Sequence, residues 1–238
     1  MEKKQNMSVK QWYAQGWRTF KGNAKTLMLG SLVVTGLGAL FTLVNVLAGG
    51  QWVIFLTQFF ITPVLGIGWL YLCLLALRGT KPDVAVLFSA FKRYGRVWIT
   101  YILFILLVVA GVFLAVVPGI LWSLKYGMSL FLVMDTEQYA RNAFRHSKRI
   151  TRGNLAKLFG FFIISALLSG LTVPFSMGIG SIGSGDATPL LLIGILPFLA
   201  GMLILSPWVG ASFASAYDSL LSVETEHADN DQKGKQDL

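Results

Sequence analysis

The stretch from Val97 to Met134 reads VWITYILFILLVVAGVFLAVVPGILWSLKYGMSLFLVM. From Val97 to Val117 it carries no charge, Pro118-Gly119 interrupts it, and a shorter apolar run continues from Ile120 to Met134. A run of this kind matches the ~20 residues that a helix needs to cross about 30 Å of hydrocarbon. The proline-glycine pair predicts a tight turn between antiparallel partners. Helices over 97–117 and 119–134 are therefore expected as a hairpin with almost no loop, and a re-entrant path at Pro118-Gly119 is the one alternative.

The same reading extends in both directions. Residues 26–48 are apolar and uncharged, Gly49-Gly50-Gln51 breaks the run, and 52–77 continues it. On the other side, 158–176 and 190–221 flank a Gly/Ser stretch between Gly180 and Gly185. The expected fold is all-α, a polytopic bundle of about six transmembrane helices in three hairpins. Composition agrees: 55% of the 238 residues are hydrophobic and 13% charged, with a mean hydropathy of +0.65, far from a soluble chain. The first apolar run is expected to stay in the membrane and not to be a cleaved signal, because an aromatic amphipathic segment precedes it.

Net charge is +9, but the basic residues are not spread over a nucleic-acid-binding face. They fall in three clusters: Lys3 to Lys25, Arg78 to Arg96, and Arg141 to Lys157. The alternate loops hold no Lys or Arg, only Asp186. Because basic loops are retained on the cytoplasmic side, this asymmetry predicts cytoplasmic N- and C-termini. Nucleic acid is not an expected partner.

Each hairpin is preceded by a segment with apolar residues at helical spacing and cations on the other face, about 8–21, 83–94 and 136–151. Val9, Trp12, Tyr13, Gly16, Trp17 and Phe20 oppose Lys10 and Arg18. Leu87, Phe88 and Phe91 oppose Lys92 and Arg93, with Asp83 as N-cap. Ala140, Ala143 and Ser147 oppose Arg141, Arg145, Lys148 and the adjacent Arg149, with Thr136 as cap. Such helices are expected as interfacial elbows, apolar side in the bilayer and cations toward anionic headgroups. Gly22, Gly95 and Gly153 follow them as turning points into the membrane.

This divides residues 1–222 into three elbow-plus-hairpin units, 1–78, 79–135 and 136–222, read either as repetition or as the recurrence usual in a six-helix protein. Residues 223–238 are polar and are expected to form a disordered cytoplasmic tail.

No catalytic constellation is visible, so no enzymatic activity, metal or cofactor is expected. Cys73 stands alone within an apolar run and reads as a packing residue. His146 reads as a headgroup-facing surface residue. Intramembrane ionisable groups are functional candidates by default. Lys125 is read either as an anchor snorkelling to the external surface or as a cation facing the bundle interior. Asp135 and Asp218 are expected to pair with the basic elbows rather than to relay protons. Pro63, Pro118, Gly119 and Pro207 mark hairpins or kinks, and the glycines at 30, 36, 38, 66 and 68 allow close helix approach.

The run Phe91-Lys92-Arg93-Tyr94, then Val117-Pro118-Gly119-Ile120 with Tyr126, Asp135, Ala143, Ser147 and Arg152-Gly153-Asn154, resembles a bacterial family of small six-helix membrane proteins of unknown function. That family is similar in turn to the membrane domain of some glycerophosphoryl diester phosphodiesterases. The resemblance implies a bundle in the bacterial cytoplasmic membrane. It carries over no activity, because those enzymes hydrolyse substrate in a separate soluble domain. The expected role is that of a non-enzymatic accessory or envelope factor engaging anionic lipid, a membrane partner or a second copy. The alternative is a transporter or permease subunit.

Overall fold

The computed structural model describes residues 7–48, 55–170 and 199–236, and every regular element among them is helical. In order these are α1 (Val9–Gly22), α2 (Ala24–Ala48), α3 (Thr62–Leu77), a 3-10 turn at Val84–Phe88, α4 (Ser89–Lys92), α5 (Tyr94–Leu114) and α6 (Val116–Tyr126). They continue as α7 (Ser129–Asp135), α8 (Ala140–Ile150), α9 (Leu155–Gly170) and α10 (Ser206–Gln236). Single π-helical turns at Thr57–Ile61 and Gly201–Leu205 lead into α3 and α10.

Four segments are long and apolar enough to cross a membrane: Ala24–Val44, Thr57–Leu77, Tyr94–Leu114 and Val116–Asp135. A fifth arises if α8 and α9, bent by 101°, count as one broken span. The expected spans at 158–176 and 190–221 and the loops at Gly49–Gln51 and Gly180–Gly185 lie wholly or partly outside the described residues.

Burial separates two classes of helix. The outgoing α2 and α5 expose Leu29, Leu32, Leu40, Leu103, Leu106 and Phe113. The returning helices α3, α7 and α10 bury Leu72, Cys73, Leu74, Phe131, Leu132, Ala214 and Tyr217. An apolar side chain facing lipid costs nothing, so the outgoing helices need no cover and the centre is held by packing. Phe131 stacks on Tyr217 at 4.8 Å and meets Phe213 edge-on at 5.1 Å, joining α7 to α10.

Pro63 and Pro207 each follow a π-helical turn. Pro63 has no N–H for the carbonyl of Phe59 four residues back. The indole N–H of Trp98 donates to that carbonyl at 3.3 Å, and the Tyr94 hydroxyl donates to Phe60 O at 3.3 Å. The Thr62 and Ser206 amides reach back five residues, to Thr57 O and Gly201 O, which makes the π turn before each proline.

The second hairpin turns earlier than expected. The break is at Ala115, which is extended, and Pro118 sits in the first turn of α6, where no N–H is needed. Gly119 serves the packing: a Cβ there would lie 2.9 Å from the Val112 nitrogen. α5 and α6 thus fold directly onto one another, and the run expected as one helix over 119–134 is divided at Gly127-Met128.

The elbows differ most from expectation. Their apolar faces are packed largely against protein, although Phe88 of the second elbow is left exposed. Trp12, Leu87 and Ala143 are fully buried. α1 packs along α10, the 3-10 turn and α4 pack on α3, and α8 packs on α7. Each elbow therefore docks on the returning helix ahead of it in the chain, and the first docks on the last. The second elbow is not one helix but a 3-10 turn followed by a single α turn.

Local signals at the elbows were partly misread. Ser8 and Gln11 form a reciprocal capping box on α1. Asp83 occupies the N-cap position without a side-chain bond, and Thr136 closes α7 in place of opening α8, its hydroxyl donating to Leu132 O. Of the three turning glycines only Gly153, at φ +83°, uses left-handed backbone. The disordered tail expected over 223–238 is helical as far as Gln236, continuous with α10.

Candidate functional site

The ends of α3 and α7 meet the middle of α10 in a charged cluster. Arg78, just past α3, donates from both terminal nitrogens to Asp135 at the end of α7, at 2.5 and 2.9 Å. Its Nε donates to Asp218 of α10 at 3.1 Å. The Tyr217 hydroxyl donates to the second Asp135 oxygen at 2.9 Å. One guanidinium thus ties together three helices that are distant in sequence. Hydrogen bonding to Asp135 is the main influence raising the Arg78 pKa above its ordinary value, against the opposing effect of burial, so this cation stays charged.

Asp135 and Asp218 are therefore paired as expected, but their partner is Arg78, ahead of the second elbow, and not an elbow cation. Asp135 is only 10% exposed and Asp218 17%. A forked donor suits two carboxylates at once.

Two further clusters join the elbows to their neighbours. Arg93 pairs with Glu137 and donates to Met134 O at 3.0 Å. Arg96 donates to Glu137 O at 2.6 Å and lies over the Tyr139 ring at 4.7 Å. Arg149 pairs with Glu224, whose other oxygen lies 2.7 Å from His146 Nε2. Gln138 Nε2 lies 3.1 Å from the other ring nitrogen. His146 is thus largely enclosed between α8 and α10 and is not a headgroup-facing residue.

Of the eight elbow cations singled out above, Arg93 and Arg149 are thus engaged within the protein. Lys10, Arg18, Lys92, Arg141, Arg145 and Lys148 are exposed and form no ion pair among the described residues. With most of the apolar faces packed inward, these six cations remain exposed on the three elbows.

Lys125 is half-buried, and its carbonyl accepts from Ser147 at 2.9 Å and Thr151 at 3.2 Å. These bonds hold α6 against the third elbow and place Lys125 toward the elbow side of its span. Arg78, Tyr217, Glu137 and Glu224 went unmarked in the sequence reading. Arg78 was visible only as one more loop cation, and its significance depends on carboxylates 57 and 140 positions away.

The aromatic content of the first elbow serves the same assembly. Trp12 Nε1 donates to Ser219 at 2.8 Å, Gln15 accepts from Ser215 at 2.7 Å, and Trp208 Nε1 donates to Tyr13 O at 3.0 Å. The chain matches no protein-family model, no curated protein and no solved structure.

Proposed function

We propose that this is a non-enzymatic factor of the bacterial cytoplasmic membrane, six spans with both termini inside, that engages anionic lipid headgroups through its elbows. The observation that carries the reading is the combination of largely inward-packed apolar faces with six exposed cations on three separate elbows. A single basic helix on a membrane would use its apolar face for lipid. Here that face is committed to protein, so the cations sit on a fixed frame. Each Lys or Arg near an anionic surface contributes about 1 kcal/mol.

The docking of the second and third elbows each on the returning helix before it, and of the first on the last, supports a division into three related units. The resemblance to a family of six-helix bacterial membrane proteins, itself similar to the membrane domain of some glycerophosphoryl diester phosphodiesterases, fits the same picture.

Replacing Arg141, Arg145 and Lys148 together with glutamine is expected to lower the anionic fraction of co-purified lipid at least twofold, with melting temperature unchanged. An unaltered lipid profile in that folded variant sinks the proposal. A transporter or permease subunit is the second reading, supported by the π turns at Pro63 and Pro207 and by half-buried Lys125. Solute flux in reconstituted vesicles that Lys125→Ala abolishes would favour it.

A further inference from the structure

A cavity of about 590 Å³ lies inside the bundle, bounded by Thr35 of α2, Trp69 of α3, Phe104 of α5, Leu124 of α6, Phe162 of α9 and Val209 of α10. This falls within the roughly 300–1,000 Å³ range of ligand sites. Among the described residues, none that lines it is charged. Its hydroxyls are mostly occupied: Ser123 donates to Ile120 O at 2.8 Å, Ser165 shares a 2.7 Å bond with the Tyr13 hydroxyl, and Ser169 also has a partner. The wall therefore offers hydrocarbon and few free polar groups.

The occupant must be uncharged where it enters, because an ion there would lose its hydration without a counter-charge. Access is from the side. Among the described residues, α2, α5 and α9 make their main contacts with the elbows, the returning helices and the turns rather than with one another. Among those residues the outer wall is therefore interrupted between helices whose exposed side chains include Leu103, Leu106, Phe159 and Phe162. Such a surface faces lipid tails, which are the abundant apolar species at that depth.

We infer that this cavity holds one hydrocarbon chain of a membrane lipid, inserted laterally, with the lipid's headgroup remaining outside. The inference rests on the chain lying in a bilayer and stands apart from headgroup binding at the elbows.

The test places the full-length protein in nanodiscs containing a phospholipid with a diazirine at the end of one acyl chain, and maps photo-adducts by peptide mass spectrometry. Adducts are expected at two groups of residues, the lipid-facing Leu103, Leu106 and Phe113 and the cavity residues Trp69, Leu205 and Val209. Val209→Trp fills the cavity and is expected to reduce the cavity adducts at least fivefold while leaving the surface adducts unchanged. The triple elbow variant is expected to retain both, so failure here is separate from failure of the headgroup reading. If Val209→Trp does not fold, the adduct map of the parent decides alone. Absence of cavity adducts in the folded parent overturns the inference. So does equal labelling in a folded Val209→Trp, or labelling by a small diazirine alcohol but not by the phospholipid.

Discussion

Gly68→Leu is expected to lower the melting temperature by on the order of 10 °C in detergent, whereas Gly66→Ala, two residues away in the same helix, leaves it unchanged or raises it slightly. A Cβ at Gly68 would lie 2.1 Å from the Leu87 carbonyl oxygen, and nothing lies within 4 Å of one at Gly66. The obstacle at Gly68 is backbone, which no rotamer change relieves, so the second elbow must lift away from α3. Overpacking of this kind costs about 3 kcal/mol or more, and 1 kcal/mol is worth roughly 2–4 °C in a chain of this size. At Gly66 the substitution meets open space and removes a helix-interior glycine, a gain of up to about 1 kcal/mol. Gly16 repeats the arrangement at the first elbow, where a Cβ would meet the Ser212 backbone at 2.6 Å. Thermal unfolding of the three variants Gly68→Leu, Gly16→Leu and Gly66→Ala checks the argument. Equal melting temperatures at Gly68 and Gly66 would show that the elbow is not seated as described.

Arg78→Leu is the second large effect, with an expected loss of about 2–4 kcal/mol. Removing one member of a mostly buried ion pair leaves the others desolvated without compensation. Here two carboxylates are left, one of them 10% exposed. The partial exposure of Arg78 itself, 33%, keeps the figure below that of a fully buried pair. Arg78→Lys retains the charge but loses the fork, and is expected to recover less than half the loss. Adding Asp135→Leu to Arg78→Leu removes the stranded carboxylate, so the double variant is expected to be less destabilised than the sum of the two singles. A double-mutant cycle on thermal unfolding measures this coupling. Strict additivity would mean that the cluster contributes nothing as a unit.

Much of the outline was legible in the sequence. Apolar runs at 26–48, 52–77, 97–117 and 119–134, charged only at Lys125, overlap four candidate spans, because a bilayer imposes one length and one polarity on any crossing helix. The first elbow, expected over 8–21, is observed as Val9–Gly22. Its buried face of Trp12, Tyr13, Gly16 and Phe20 is the face that helical spacing selected.

Spacing identified that face but not its partner. An amphipathic segment reads the same whether its apolar side meets lipid or protein, since both are apolar. Only the fit of Gly16 against Ser212 and of Gly68 against Leu87 distinguishes them. The polar end of the chain was misread for a related reason. Residues 223–238 have no apolar periodicity, but Glu224 is bound by His146 and Arg149. Composition has no term for a contact 78 positions away.

The sequence by itself determined that this is a helical membrane-type chain, roughly where its helices cross, and which residues could not face hydrocarbon. Local composition suffices for these, because the solvent acts on each segment separately. Tertiary structure alone decided which helices form the centre, that Arg78 rather than an elbow cation takes both aspartates, which six cations stay outward, and that a cavity remains inside. Each of these depends on how helices distant in sequence pack against one another, and packing is a property of shape that no single segment carries.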